Sequence, residues 1–309
     1  MTRFERTPTP LVYGAIVLST AVIFISDLLT ALGIAVWIFY LVPVTLTYLT
    51  WRPVVPIVTA GAVTTLAIMG FVMSPPGGDP TRAILNRGFG VITAWVLAML
   101  GYQFIQNKLA VRKQAWMQSV QTLLSERMAG EPRMDQFGSR VLGTLAESLE
   151  ASAGALFIED TGSFYRVATY GVSETAPTPE RISAGDGLLG QALLDQRVFL
   201  ISDVPEGYLT IGSALGRGIP RHLLIAPCLV EGTVKAVLEL GTFHAVGQAE
   251  KELLERVSES VAVAVRSTQY RTQLQQLLEE TQRQGEELQV QTEELRVAIV
   301  DGQKLIDID

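Results

Sequence analysis

Between Leu11 and Phe104 the chain is almost wholly apolar, and this run limits the possible folds more than any other feature. Four stretches within it, at about 11–28, 33–51, 54–73 and 83–104, approach the ~20 residues a helix needs to cross a bilayer. One helix over 11–51 would be about 60 Å long, twice the hydrocarbon thickness. A hairpin turning near SDLLTALG is therefore expected. Arg52-Pro53 parts the second stretch from the third, and SPPGGDPTR (74–82) is the one polar loop of any length in this half. No small-residue cleavage site follows the first run and further spans come at once, so it does not read as a signal peptide.

Basic residues set the expected orientation. With four spans, Arg3, Arg6, Arg52, Lys108, Arg112 and Lys113 share one side, and only Arg82 and Arg87 fall near the other. Both termini are then cytoplasmic in a bacterial inner membrane, with Trp51 as an interfacial anchor. Asp27 and Arg87 are the ionisable groups closest to lipid, both toward the outer end. Such groups need partners, so Asp27 is expected to pair with Arg87, with Asn86 beside them. The alternative is that both side chains reach the outer interface. Pro43 marks a kink in the second span rather than a transport site.

After Lys108 the pattern becomes charged and periodic. In IQNKLAVRKQAWMQSVQTLLSER (105–127), Leu109, Trp116 and Leu123 recur every seven residues with Val120 between them, a short seam on a connecting helix. A second helix follows Glu131-Pro132, with Phe137, Val141, Leu145 and Leu149 on one face. At the other end, 248–299 has no proline. Its beginning, Leu253–Val265, is apolar enough to pack on a domain. Beyond Tyr270 it is rich in Gln and Glu, with Leu274, Leu288 and Leu295 in a seven-residue register, Thr281 in the gap and Leu278 on an alternate seam. A helix this polar needs a partner helix, and a parallel dimeric coiled coil is the simplest one, weakened at Gly285.

Strand signals lie between these helices. ALFIED (155–160) and FYRVATYGV (164–172) flank Thr161-Gly162-Ser163, VFLISDV (198–204) is a third strand, and HLLIAPCLV and TVKAVLELGTF flank Glu231-Gly232, a turn that wants φ > 0 at glycine. The order helix, hairpin, short helix, strand, hairpin, helix predicts an α+β domain: an antiparallel sheet with helices on one face. Gly185, Gly187 and Gly190 spell G-x-G-x-x-G, but a dinucleotide fingerprint should open the crossover helix of a βαβ unit, and only about six helical residues separate it from the next strand.

The run GDGLLGQALLDQRVFLISDVPEGYLTIGSALGRGIPRHLLIAPCLVEGTVKAVLELGTF resembles a GAF domain of the kind found in bacterial hybrid sensor histidine kinases. The pieces that carry the likeness are G-x-G-L-x-G, DVP-x-x-Y, IGS-x-LG, R-x-LL-x-x-P and LELGTF. The helix LLEETQRQGEELQVQTEELRVA resembles the signalling helix of those proteins, and 11–104 a generic four-helix membrane input module. The resemblance implies four parts: a transmembrane module 1–104, a connecting helix 105–130, a GAF domain 131–268, and a coiled-coil helix with its tail, 269–309. It also implies a small-molecule ligand of unknown identity between sheet and loops, where Asp203, Tyr208 and Arg217 are candidates to line the pocket. No cysteine is placed to hold a bilin, and the cyclic-nucleotide pattern is not visible. Neither a phosphoacceptor histidine motif nor glycine-rich ATP boxes are present, and the register decays after Arg296, where relatives continue the helix. A truncated, naturally short or frame-altered chain would each account for that.

Chemistry finds little purchase. The chain has two histidines and one cysteine, which excludes a disulfide framework and a cysteine-based zinc cluster. His222 and Cys228 share strand parity but lie roughly 20 Å apart on an extended strand, too far to share a metal. No paired carboxylates, Ser-His-Asp order or metal-ligand spacing stands out, so neither catalytic nor metal residues are expected, and no cofactor is identified. A net charge of −7 argues against nucleic acid. The expected function is a membrane-bound signal-transduction protein, a parallel homodimer in contact with lipid. Alternatives are the input portion of a two-component sensor kinase, its catalytic core missing or supplied in trans with a histidine kinase or response regulator as partner, and a small regulated transporter or channel.

Overall fold

A computed structural model describes residues 10–31, 34–75, 77, 79–130, 133–172, 178–204, 211–213 and 216–306. The chain divides into two compact units, 1–117 and 118–309, and each is described by itself.

Among the described residues three helices are long and apolar enough to cross a membrane: α1 (Pro10–Leu29), α3 (Val54–Met73) and α4 (Pro80–Met128), whose apolar part lies in the first unit. The stretch expected to be the second span is different. It is a 3₁₀ turn (Val36–Tyr40), a single short helix α2 (Leu41–Leu46) and another 3₁₀ turn (Thr47–Leu49). Pro43, without an N–H, sits in α2 and limits the regular helix there. The whole stretch is about 25 Å long, short of the ~30 Å hydrocarbon core.

Small residues bring this broken stretch against α4. Gly90, Ala94, Ala98 and Gly101 recur along one face of the helix. A Cβ at Gly90 would fall 2.7 Å from the Trp37 ring, and one at Gly101 would fall 2.3 Å from the Tyr48 ring. Small residues let the backbones approach this closely. The interior is Ile23, Val36, Tyr40, Val44, Ala60, Val63, Ala94 and Ala98, while Leu18, Val58 and Ile92 point outward.

In the second unit, α5 (Met134–Leu149) leads into β1 (Ala153–Asp160), β2 (Ser163–Tyr170) and β3 (Arg181–Ile182). Then come α6 (Gly187–Asp195), β4 (Phe199–Ser202), the small pair β5 (Ile211–Ser213) and β6 (Gly216–Gly218), and the long hairpin β7 (His222–Val230) and β8 (Thr233–Thr242). The last helix, α7, runs from Gln248 to Ile306, so it continues past Arg296 where the sequence register fades. The main sheet has the order β3-β2-β1-β8-β7-β4, with every pair antiparallel. Both hairpins close through two residues of positive φ, Thr161-Gly162 and Glu231-Gly232, the geometry whose twist matches paired strands.

Sheet alternation divides the domain into two layers of core. Phe137, Leu142, Leu145 and Leu149 of α5 and Leu253, Leu254, Val257 and Val261 of α7 are buried. These helices cover the face that carries Leu156, and a Cβ at Gly154 would touch Leu142. The other face, with Ala155, Phe157, Ile225 and Val237, packs against Leu189, Ala192 and Leu193 of α6. The expectation of helices on one face is therefore corrected. It holds for the long helices only, because α6 is apolar enough to close the opposite face.

Candidate functional site

Two constellations merit description, one in each unit. In the first unit, Arg87 Nη1 and Nη2 donate to Asp27 Oδ2 and Oδ1 at 2.8 and 2.9 Å. Nη1 also donates to the Ala67 carbonyl at 2.8 Å. The pair therefore joins α1, α3 and α4. The Asp27 side chain is 4% exposed and that of Arg87 15%, so both turn into the helix bundle rather than outward. Ser74 donates to the Asp27 carbonyl at 2.9 Å. Gly70 makes room for the pair: a Cβ there would lie 2.1 Å from Asp27 Oδ2 and 3.1 Å from Arg87 Nη1. Asn86, expected beside the pair, instead accepts a hydrogen bond from Trp37 Nε1 at 2.9 Å. Tyr40 is buried in the same bundle, and its hydroxyl has no hydrogen-bond partner among the described protein groups.

In the second unit, the residues expected to line a ligand pocket are not assembled into a described site. Asp203 is exposed and adopts φ 57°, a left-handed conformation in the loop after β4. Tyr208 lies outside the described residues, as does the side chain of Arg217, whose backbone belongs to β6. The glycine triplet forms the turn that enters α6, with Gly185 and Gly187 at positive φ. Because the described strands pair antiparallel, no βαβ crossover follows it.

The sequence did not announce how α7 is fastened where it leaves the sheet. Gln269 donates to the Glu159 carbonyl at 2.8 Å, just before the β1–β2 turn. Arg266 pairs with Glu231, in the β7–β8 turn, at 2.9 Å. Lys235 pairs with Glu159 at 3.2 Å. The backbone N–H of Gly162 donates to Glu159 and, with Lys235, holds its carboxyl below the usual carboxylate range. Glu159, Lys235, Arg266 and Gln269, with Tyr165 and Tyr270, border a groove of about 660 Å³. Both hairpin turns thus grip one helix, which could have been sought only by asking what the polar residues 266–269 meet at its exit.

Beyond that grip, α7 exposes its apolar side chains. Leu274, Leu278 and Leu288 are each about 60% exposed, and so are Tyr270 and Leu277. Tyr270 and Leu277 lie seven apart, four residues before Leu274 and Thr281 respectively, so Leu277 shares the spacing of the Leu274–Leu288 register. Leu295 is helical, with its side chain outside the described residues. On the 105–127 part of α4 the buried apolar residues are Ile105, Met117, Val120 and Leu124, while Leu123 is 38% exposed.

His222 and Cys228 sit in one strand. His222 Nδ1 lies 3.2 Å from Ser202 Oγ on the neighbouring strand. Cys228 is fully buried, and desolvation pushes its thiol up to about 12. A thiol so placed is a core side chain and not a nucleophile. Among the described residues no group of His, Cys, Asp and Glu could hold a metal.

Residues 131–266 match the model of the GAF domain family. Among solved structures, the GAF domain of a phosphoenolpyruvate-protein phosphotransferase from Coxiella burnetii is 20% identical, covers 50% of this chain and 95% of its own, and superposes with a TM-score of 0.42. A free methionine-R-sulfoxide reductase from Neisseria meningitidis is 16% identical, with coverage of 50% and 90% and a TM-score of 0.42. A segment of a methyl-accepting chemotaxis protein is 16% identical, with coverage of 47% and 96% and a TM-score of 0.38. No curated protein matches the chain. The second unit contains a GAF domain, preceded in the chain by long apolar helices. Such a domain suggests a signalling or sensory role.

Proposed function

We propose that the chain is a membrane-bound sensory protein whose GAF domain relays a stimulus to a pair of parallel helices. The observation that carries this reading is the double character of α7. Up to Thr268 it is built into the domain core, and from Tyr270 on it presents exposed apolar positions at seven-residue spacing. A helix this polar gains stability from a second copy of itself. The grip of both hairpin turns on residues 266–269 is where a change in the domain would reach the helix. A coupling of about 1–3 kcal/mol is enough for a useful population shift.

In this reading α1, α3 and α4 cross a bacterial inner membrane, the shorter stretch 36–49 returns the chain through their bundle from the outer to the cytoplasmic side, and the GAF domain and both termini are cytoplasmic. The Asp27–Arg87 pair fastens the bundle rather than forming an ion path. The chain acts without catalysis of its own and hands its signal to a partner in trans, such as a histidine kinase or response regulator. Incubating the purified chain with ATP should therefore leave it unlabelled.

Dimerisation is tested with cysteines introduced at Leu274 and Leu288 in a Cys228→Ser background. Same-residue disulfides should form at both positions in membranes. Their failure to form at either position contradicts the parallel pair.

A further inference from the structure

The first unit concentrates positive charge at one end. Arg52, Lys108, Arg112 and Lys113 lie where the apolar part of α4 ends and α3 begins. Between Asp27 and Glu126 the only acidic residue is Asp79, which pairs with Arg82 in the loop before α4. Arg52, Lys108 and Arg112 therefore have no carboxylate close to them in sequence.

Their arrangement is specific. Lys108 Nζ stands 3.7 Å from the centre of the Trp51 ring, and the Arg112 guanidinium stands 5.0 Å from the same centre. Lys108 and Arg112 are four residues apart on one helix, a spacing at which like charges repel. The indole face holds both by cation–π attraction without neutralising either. Arg52 follows Trp51 in the chain and is exposed. An anion with two free oxygens would relieve the repulsion, one oxygen against the Lys108 ammonium and the other against the Arg112 guanidinium.

We propose that Trp51, Arg52, Lys108 and Arg112 form a binding site for the phosphate headgroup of an anionic phospholipid. The indole and the apolar end of α4 lie at the depth of the glycerol backbone, and the cations reach the phosphate. The assignment rests on the reading of the first unit as membrane-spanning. Under that reading, a membrane surface supplies anionic headgroups at this boundary continuously, and basic residues beside a span attract them. Occupancy would anchor α4 near the point where it passes toward the GAF domain.

The test uses the full chain in phosphatidylcholine vesicles doped with phosphatidylglycerol. One of the two lipids carries brominated acyl chains, and quenching of Trp51 is read as the difference between the native chain and Trp51→Phe. Brominated phosphatidylglycerol should quench Trp51 as though enriched about five-fold or more over its bulk fraction, roughly the effect of one interfacial cation. The enrichment should vanish in Lys108→Gln/Arg112→Gln. It should also fall for the native chain in molar salt, where the Debye length is about 3 Å, and this arm stands even if the double variant does not insert. Equal quenching by the two lipids overturns the site and leaves the membrane reading intact. No quenching by either lipid overturns the membrane reading itself. Loss of the preference on adding millimolar inorganic phosphate overturns the assignment to lipid in favour of free phosphate.

Discussion

Gly70→Ala is the sharpest perturbation of the first unit, because it adds one methyl group and removes no charge. The new Cβ would lie 2.1 Å from Asp27 Oδ2, so the carboxylate must move by an ångström or more. The two hydrogen bonds from Arg87 then cannot both survive. Leaving a buried charge poorly paired costs about 3–5 kcal/mol, and alanine's better helix propensity offsets about 1 kcal/mol. A net loss of about 2–4 kcal/mol is expected. Gly61 is the internal control, since it lies on the same helix and a Cβ there meets nothing within 4 Å. Gly61→Ala should be neutral or stabilising by up to about 1 kcal/mol. Reversible unfolding in mixed micelles, followed by tryptophan fluorescence, gives both values. In an Asp27→Ala background the penalty of Gly70→Ala should disappear, as coupled neighbours require. The reasoning is refuted if Gly70→Ala is as benign as Gly61→Ala, or if its cost persists once Asp27 is gone.

Four further outcomes are expected. Phe137→Ala, which empties a fully buried position under the sheet, should destabilise the GAF domain by about 3–5 kcal/mol in denaturant titration. The Cys228 thiol is raised to about 12 in the folded chain, above its unfolded value of about 8.5. Its contribution to stability is therefore complete below pH ~8.5 and is lost as pH climbs toward 12, and at pH 8 alkylation should be far slower in the native chain than in the unfolded one. Glu159 is held below its ordinary value, first by the Gly162 N–H and then by Lys235. Its contribution is present above the unfolded carboxylate value, about 4.3, and is lost as pH falls through the lower folded one, so Glu159→Gln should flatten the acid limb of the melting curve. Gly171→Ala should cripple folding, because φ is 63° and the new Cβ would meet the Ser152 carbonyl oxygen at 2.1 Å; circular dichroism of the expressed variant checks this.

The parts of this fold that were legible in the sequence are those set by local rules. Alternating strands around Thr161-Gly162-Ser163 and Glu231-Gly232 marked both hairpins, because tight turns that need positive φ leave few residue choices. The apolar face of α5 and the packed start of α7 followed from helical periodicity. Other features depended on contacts distant in sequence. The stretch 33–51 reads as a span by composition, but Pro43 and the packing of Trp37 and Tyr48 on the glycines of α4 leave it short and broken. Asp27 and Arg87 could be matched as the two charges within the apolar stretches, whereas the partner of Asn86 proved to be an indole. The side of the sheet that α6 covers, and the grip of Gln269 and Arg266 on two separate turns, carry no sequence signature.

The relay itself is tested most directly by a cysteine scan of 270–291 in the full chain, cross-linked in native membranes with and without Gly70→Ala. The account predicts same-residue cross-linking that peaks every seven residues along the Leu274, Thr281, Leu288 register. It also predicts that disturbing the Asp27–Arg87 pair changes the relative yield at Leu274 and Leu277 while the seven-residue period persists. A flat profile would contradict the paired helices, and an identical profile in the two chains would contradict the relay.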